Sequence, residues 1–396
     1  MFNRINRYIA KEISITFFLG LGIFTFILLM DKILSLTELI VSKGAGVIDV
    51  ISLIIYILPS FMVIAIPMSF LLAVLLTFGR LSGDEEITAA KASGISLVQM
   101  MPPVISISII TFIATLFLMI YALPWGNHSF KTKIYNIIRE TADTSIVPGR
   151  MLDSFSDIIL YVNEKDEKSS RYKGIVISEK GKGAKSNTII ASEAEIISVP
   201  DELSVALRLY DGAIHKEGEK KQLRYNIIKF EQCDITLTVN INKNRPSSAS
   251  KGDRELGMSE LLSKVKELKS RGHDYDYLMV EFHKKFSIPF ACIVFAFIGA
   301  PLGIRGKRSG KAHGFVFSLL LITVYYVFLM AGETLGDKGS IPPFLSMWAP
   351  NLFFMAIGLH LLYKANNDSE IKILSVFESA FSAVLSLLTK IFKRKK

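Results

Sequence analysis

Six long apolar stretches constrain the fold of this sequence more than any other feature. A helix needs about 20 apolar residues to cross the hydrocarbon core of a bilayer, and each stretch reaches or approaches that length. Half of the 396 residues are hydrophobic. The sequence therefore predicts an α-helical polytopic membrane protein with six transmembrane helices. The predicted spans cover residues 13–31, 50–78, 97–123, 280–303, 313–331 and 344–363.

Basic residues are distributed unevenly between the two sides of the predicted membrane. The short loops 32–49 and 332–343 hold few cations and balance them with acids. Since the cation-rich side faces the cytoplasm, we expect both termini to be cytoplasmic and, in a Gram-negative cell, an inner-membrane protein with residues 124–277 periplasmic. No small-residue cleavage site follows the first stretch, so we expect an uncleaved first span. The cytoplasmic cations are Arg4, Arg7, Lys11, Arg80, Lys91, Arg305, Lys307, Arg308, Lys311, Lys364 and residues 393–396.

The segment between spans three and four changes character. Apolar and polar residues alternate from Ser204 to Leu209 and from Asp234 to Val239, which is the period-two pattern of a half-buried strand. Further strand candidates lie at 157–162, 174–178 and 188–197, separated by turns rich in glycine, lysine and serine. The pattern predicts an all-β domain, a sandwich or a jelly roll, inserted between two groups of spans.

These patterns divide the chain into four regions. The polar run from Asn244 to Arg254 is typical of a linker. From Glu370 onward, apolar residues at helical spacing and a basic end predict an amphipathic helix that lies on the cytoplasmic leaflet or packs on a partner protein. The regions are an N-terminal membrane half (1–123), a periplasmic β-jelly-roll domain with linker and connecting helix (124–277), a C-terminal membrane half (278–364) and a cytoplasmic amphipathic basic tail (365–396).

The sequence lacks the motifs that mark several kinds of catalytic and nucleotide-binding site. No Walker A loop, H-E-x-x-H zinc site or G-x-S-x-G elbow is present. The two cysteines, Cys233 and Cys292, support neither a disulfide framework nor a metal site. We therefore expect no catalytic residue, no cofactor and no metal. The net charge of +10 does not indicate nucleic-acid binding, because many cations flank the spans and face an anionic membrane surface.

The cytoplasmic segment 80–94 carries a more specific signal. Asp84, Glu85 and Glu86 precede a predicted short helix, where the helix dipole favours acids, and Gly94 is placed to end it. One interpretation is a coupling helix, which inserts into a groove of an ATPase and offers Glu85 or Glu86 to an arginine there. The other is a solvated, well-capped turn, and the spacing alone favours neither.

Two blocks of sequence carry a family resemblance that covers essentially the whole chain. The first is Arg-Leu-x-x-x-x-Glu-Ile followed by Ala-Ser-Gly-Ile-Ser, within residues 80–96. The second block comprises His283-Lys284-Lys285-Phe286-Ser287-Ile288-Pro289, Gly299-Ala300-Pro301-Leu302-Gly303, Arg308-Ser309-Gly310, Tyr325-Tyr326 and Pro350-Asn351. With Arg7-Tyr8-Ile9, Pro124-Trp125 and the order of spans and β-domain, the blocks resemble the LptF/LptG permease family of lipopolysaccharide export, and LptF more than LptG.

The resemblance implies a permease subunit of an ABC transporter that performs no chemistry itself. A sister permease of the same family would enclose a lipid-filled cavity with this chain, among the membrane lipids. Lipopolysaccharide would leave the inner membrane through that cavity, pass to the jelly-roll domain and continue along a periplasmic β-jelly-roll bridge protein. A separate homodimeric cytoplasmic ABC ATPase would hydrolyse the ATP.

The resemblance also implies roles for individual residues. Glu86 matches the position that contacts the ATPase, with Glu85 and Arg80 flanking it. Lys32 matches a basic position that contacts lipid A phosphates, although Asp31 would partly offset its charge and simple snorkelling is the alternative. Inward β-domain residues would line a path for lipid or form an ordinary sandwich core. These residues are Leu207, Leu209, Ile235 and Leu237.

Two other classes of function remain open at this point. A membrane-anchored scaffold or sensor would use its periplasmic domain to bind a ligand or an envelope protein. Charge reversal at Glu86 separates it from the transporter, since only the transporter would lose an ATPase. An intramembrane lipid-modifying enzyme would need polar residues that converge within the spans, and Glu333 and His360 are the chief candidates.

Overall fold

The computed structural model describes ten ranges of the chain. The linker from Asn244 to Arg254, the basic loop residues 305–310 and the predicted tail from residue 368 lie outside them. The described ranges are 2–43, 46–145, 148–155, 158–166, 171–180, 186–199, 204–216, 226–237, 256–304 and 311–367.

Six helical segments of the described chain are long and apolar enough to cross a membrane. They coincide with the six predicted apolar stretches, so the predicted number and order of spans are confirmed. The segments are Arg4–Leu34, Val47–Gly83, Val98–Ile137, Asp276–Gly303, Phe317–Asp337 and Pro343–Asn366. The helices are α1 (Phe2–Lys43), α2 (Val47–Gly83), α3 (Glu86–Ala92), α4 (Met101–Phe117), α5 (Leu123–Ser145), α6 (Met258–Ser270), α7 (Asp276–Gly303), α8 (Lys311–Asp337) and α9 (Pro343–Asn366).

The third span continues past its predicted end at residue 123. After α4, a π-helical turn at Leu118–Ala122 leads directly into α5, which ends at Ser145. Pro124 follows this π turn inside a continuous helix, and a local π-helical adjustment is one way in which a transmembrane helix accommodates a residue that has no N–H to donate. A proline after an apolar run therefore marked a change in helix geometry rather than the end of the helix.

The inserted domain contains one antiparallel sheet, which confirms the predicted all-β insertion. Each described strand pairs with the next strand in the sequence, as in a meander. Every predicted strand segment falls on an observed strand, whereas β1 was not predicted. The strands are β1 (Met151–Phe155), β2 (Ile158–Asp166), β3 (Arg171–Lys180), β4 (Ser186–Val199), β5 (Ser204–Lys216) and β6 (Asn226–Leu237).

The register places apolar residues of neighbouring strands in rows on one face of the sheet. Leu160 pairs with Ile177, Ile177 with Ile189, and Ile189 with Ile214. This face forms a core with buried side chains, and Tyr135 of α5 packs against it. The alternation of apolar and polar residues in the sequence thus becomes a buried face and an exposed face.

By internal contacts the chain divides into two compact units. The first comprises Met1–Ile27, Ser60–Ala122 and Gly257–Lys396, and the second comprises Leu28–Pro59 and Leu123–Leu256. The division passes through α1, through α2 and through the helix that joins α4 to α5. The β-sheet and the adjoining helix ends therefore belong to one unit.

Glycines and buried polar groups hold the helices of the first unit together. A Cβ atom at Gly299 would lie 2.9 Å from Val74 Cγ1, and one at Gly303 would lie 2.7 Å from Phe78 Cβ, so α7 packs closely on α2. Close backbone approach through small residues is a main source of helix association in lipid, where apolar burial between helices gains little.

Asn351 is the centre of a buried hydrogen-bond network that joins α7, α8 and α9. Its amide nitrogen donates to Ser287 O at 2.9 Å and to Ser287 Oγ at 2.8 Å, and its oxygen accepts from Tyr325 OH at 2.9 Å. Both Tyr325 and Asn351 belong to the second block of the family resemblance. In this fold they are structural, because they satisfy one another where no water is available.

Candidate functional site

The predicted short helix after span two is present as α3, seven residues long. Gly94 ends it with a φ of +82°. The Gly94 N–H donates to Lys91 O at 2.9 Å and the Ile95 N–H to Ala90 O at 3.0 Å, which is the bond pattern of a Schellman motif. The predicted stop at Gly94 is therefore confirmed, and the reason is that glycine adopts a left-handed conformation without strain.

The guanidinium group of Arg80 lies close to three acids, one each from α1, from the turn between α2 and α3, and from α3. Its Nε lies 3.1 Å from Glu12 Oε1, and its Nη1 lies 3.5 Å from Asp84 Oδ2 and 4.0 Å from Glu86 Oε1. Tyr8 completes the group, since its hydroxyl accepts from Arg80 Nη2 at 2.9 Å and donates to Glu86 Oε1 at 3.1 Å. We call Tyr8, Glu12, Arg80, Asp84 and Glu86 the Arg80 cluster.

Two of the three predicted coupling residues meet in this cluster. Arg80 and Glu86 are in contact, whereas Glu85 lies at the surface with a φ of 61°. Tyr8 and Glu12 were missed as site residues. The signal that could have found them is their spacing of four residues at the start of a span, which places both side chains on one helix face.

Further contacts join residues 80–94, which we call the α3 segment, to the ends of other spans. Lys91 Nζ donates to Ala365 O near the end of α9 at 3.1 Å. Ser82 Oγ donates to Ile304 O just after α7. Together with the Arg80 cluster, these bonds connect the segment to α1, α7 and α9.

A second charged group lies within the predicted fourth span and was not predicted as a site. Lys284 Nζ lies 2.5 Å from Glu333 Oε1 and 3.6 Å from Glu281 Oε2, and Lys285 beside it is 1% exposed. The signal was available, because ionisable residues inside an apolar span are costly and need partners. The other candidate from the sequence, His360, is exposed on α9.

The predicted lipid-contact residue Lys32 lies on α1 with a partly exposed side chain. Its Nζ is 3.8 Å from Asp31 Oδ2. The partial charge compensation that the sequence predicted is thus present.

The predicted lining residues of the β-domain divide into three cases. Leu207 and Leu209 are buried in the core of the sheet. Ile235 is partly buried against that core. Leu237 pairs with Val205 in the strand register, but its side chain lies outside the described residues. Three of the four side chains therefore belong to one apolar face.

Comparison with known protein families bears on the open classes of function. The model described as "Lipopolysaccharide export system permease LptF/LptG" matches residues 7–364 of this chain. The chain belongs to the LptF/LptG family. The match includes both groups of spans and the inserted sheet. It follows that this is a multi-pass inner-membrane protein and a non-enzymatic transport subunit.

Individual relatives agree with this family. LptF of Escherichia coli K12 is 20% identical over 306 residues, which cover 76% of this chain and 79% of that protein. LptF of Shigella flexneri gives the same values. An uncharacterised protein of Rickettsia prowazekii is 21% identical over 327 residues, covering 81% of this chain and 87% of the relative. The named relatives are LptF proteins, in line with the resemblance in the sequence.

Proposed function

We propose that this chain is the permease subunit of an ABC transporter that extracts lipopolysaccharide from the inner membrane and passes it to a periplasmic bridge leading to the outer membrane. The observation that carries the proposal is the α3 segment, which is bound to three other spans and holds a partly exposed carboxylate at Glu86. A membrane protein of the LptF/LptG family with such an element is suited to receive force from a soluble ATPase.

The exposed side of α3 suits close docking. Thr88, Ala89 and Ala92 are exposed and small. A groove on a partner can therefore approach the helix closely, while Glu86 offers its carboxylate to an arginine at the edge of the contact. Glu85 and Arg80 flank that carboxylate.

The energetic demand on the transporter is large. Exposing an acyl chain to water costs about 0.8 kcal/mol per CH₂, or roughly 10 kcal/mol for a chain of a dozen carbons. ATP hydrolysis by a partner and an apolar path through the periplasm meet that demand together. The path proposed here begins at Lys32, which would bind a lipid phosphate, and continues along the apolar face of the sheet. The side chains on that face would be Leu207, Leu209, Ile235 and Leu237.

The proposed assembly contains three protein partners, together with lipopolysaccharide and membrane lipids. A homodimeric cytoplasmic ABC ATPase binds the α3 segment, and a sister permease of the same family closes the lipid cavity. A periplasmic β-jelly-roll protein receives lipopolysaccharide from the inserted domain. This assembly requires both termini in the cytoplasm, residues 124–277 in the periplasm between the membrane halves 1–123 and 278–364, and a tail at 365–396 on the cytoplasmic side.

Charge reversal at Glu86 tests the proposal. The variant Glu86→Lys should lower recovery of the ABC ATPase with the tagged chain about tenfold or more, because a like charge would face the arginine of the partner. Glu267→Lys, on an exposed helix of the described chain, is the matched control and should leave recovery unchanged. Equal ATPase recovery with both variants would contradict the transporter and favour the membrane-anchored scaffold.

A further inference from the structure

The Arg80 cluster contains two side chains from the first span whose contacts are unusually specific. The Tyr8 hydroxyl both accepts and donates a hydrogen bond: it accepts from Arg80 Nη2 at 2.9 Å and donates to Glu86 Oε1 at 3.1 Å. A phenol hydroxyl has one donor, so this arrangement commits it to Glu86. Glu12, one helical turn along α1, lies 3.1 Å from Arg80 Nε. The first span thus contacts both Arg80 and Glu86.

The distances show which carboxylate of the cluster is least neutralised. Arg80 lies nearest to Glu12, at 3.1 Å, and farthest from Glu86, at 4.0 Å. Asp84 is intermediate at 3.5 Å. Three carboxylates therefore share one guanidinium group, and Glu86 receives the smallest part of its charge. A second cation close to Glu86 would neutralise the charge that remains on its carboxylate.

Glu86 is also the cluster member that lies on α3. The Glu86 side chain is 40% exposed, compared with 30% for Glu12. The Tyr8 hydroxyl, which is not charged, orients the Glu86 carboxylate without neutralising it. Glu12 meanwhile holds Arg80 on the α1 side, which keeps the guanidinium from closing fully onto Glu86.

We propose that Tyr8 and Glu12 are positioning residues of the ATPase-coupling site, which fix Glu86 for an arginine or lysine of the ATPase. This inference rests on the proposed function and adds the first span to the docking site. The incoming cation enters a group that is already organised by α1, so docking acts on α1 directly and not only through the connection of α3 to α2.

The test is a double-mutant cycle on the complex of this chain with its co-expressed ABC ATPase. The conservative variant Tyr8→Phe removes only the hydroxyl, and we expect the apparent dissociation constant for the ATPase to rise about tenfold or more, as for loss of a hydrogen bond to a charged group. In the Glu86→Gln background the same change should alter the constant less than twofold. Glu12→Gln should follow the same pattern, with a smaller effect.

A structural role for these residues predicts a different result. If Tyr8 only stabilised the fold, Tyr8→Phe would weaken ATPase binding equally in both backgrounds and would lower the thermal midpoint of the permease alone. That outcome, or no change in affinity at all, would overturn the inference. Tyr363→Phe, on the exposed side of α9, is the matched control and should be silent.

The cycle and the Glu86→Lys variant together distinguish failure of this inference from failure of the proposed function. If Glu86→Lys leaves ATPase binding intact, the proposed coupling site itself fails. If Glu86→Lys abolishes binding while Tyr8→Phe and Glu12→Gln have no effect, the coupling site stands and only the role of the first span is rejected.

Discussion

Arg80 and Lys284 illustrate how charged residues are accommodated at the edge of a membrane and within it. Each is surrounded by carboxylates from segments far apart in the sequence, such as Glu12 for Arg80 and Glu333 for Lys284. The sequence identified Arg80, Glu86 and Glu333 as residues of interest. It could not identify their partners, because the pairing depends on how the helices pack and not on spacing along one helix.

The contacts of Lys284 lead to a prediction at the same scale. Lys284→Met would remove the cation that lies 2.5 Å from Glu333 Oε1 and 3.6 Å from Glu281 Oε2, whereas Glu333→Gln would leave Lys284 paired with Glu281. Breaking a buried ion pair costs about 3–5 kcal/mol. We therefore expect Lys284→Met to lower the thermal midpoint of the detergent-solubilised chain more than Glu333→Gln does.

The measurement is loss of the monodisperse peak in size-exclusion chromatography after heating. Lys338→Met, exposed just beyond α8, serves as the control for removal of a lysine. A Lys284→Met midpoint equal to that of the control would show that the buried group does not stabilise the packing of α7 and α8.

At the scale of elements, periodicity and composition predicted much of the architecture. Apolar length located the six spans, and alternation located β2 to β6. The stop of α3 followed from Gly94 alone. The misses lack the two signals for different reasons: the α5 sequence from Leu123 to Ser145 is largely polar, and β1 reads Met-Leu-Asp-Ser-Phe, in which apolar and polar residues do not alternate. Their conformation depends on contacts, as when Tyr135 packs against the sheet.

The pairing of β5 with β6 gives a prediction of pH dependence. Arg208 and Asp234 are opposite each other in the register, and Nε and Nη2 of Arg208 each donate to Asp234 at 2.9 Å. This contact lowers the pKa of Asp234. A carboxyl group with a lowered pKa stabilises the folded state above its unfolded pKa of about 3.9, and that contribution is lost as pH falls through the folded pKa.

The pH dependence can be measured by comparing hydrogen exchange of the β5 and β6 amides in the native chain and in Asp234→Asn. The native chain should be better protected at pH 6, and its advantage should shrink as pH is lowered through about 4 and below and Asp234 binds a proton. An advantage that stays constant over this range would show that the Arg208 pair contributes nothing to the stability of this edge of the sheet.

At the scale of the whole molecule, the family match and the α3 contacts support one account of function. The sheet-containing unit supplies an apolar face and parts of the first three spans, and the other unit supplies the Arg80 cluster and the last three spans. The chain has neither a Walker A loop nor another nucleotide motif, so the account needs an ATPase from outside. The sequence predicted this division of labour through family resemblance, since no spacing of residues within one chain can identify a separate partner.

The most direct test of this account is to tag the chain at its native expression level, extract the membranes in mild detergent and identify the co-purifying proteins by mass spectrometry. The account predicts a stoichiometric ABC ATPase together with a second six-span permease. Recovery of the chain without an ATPase, under conditions in which a control ABC complex stays intact, would contradict it.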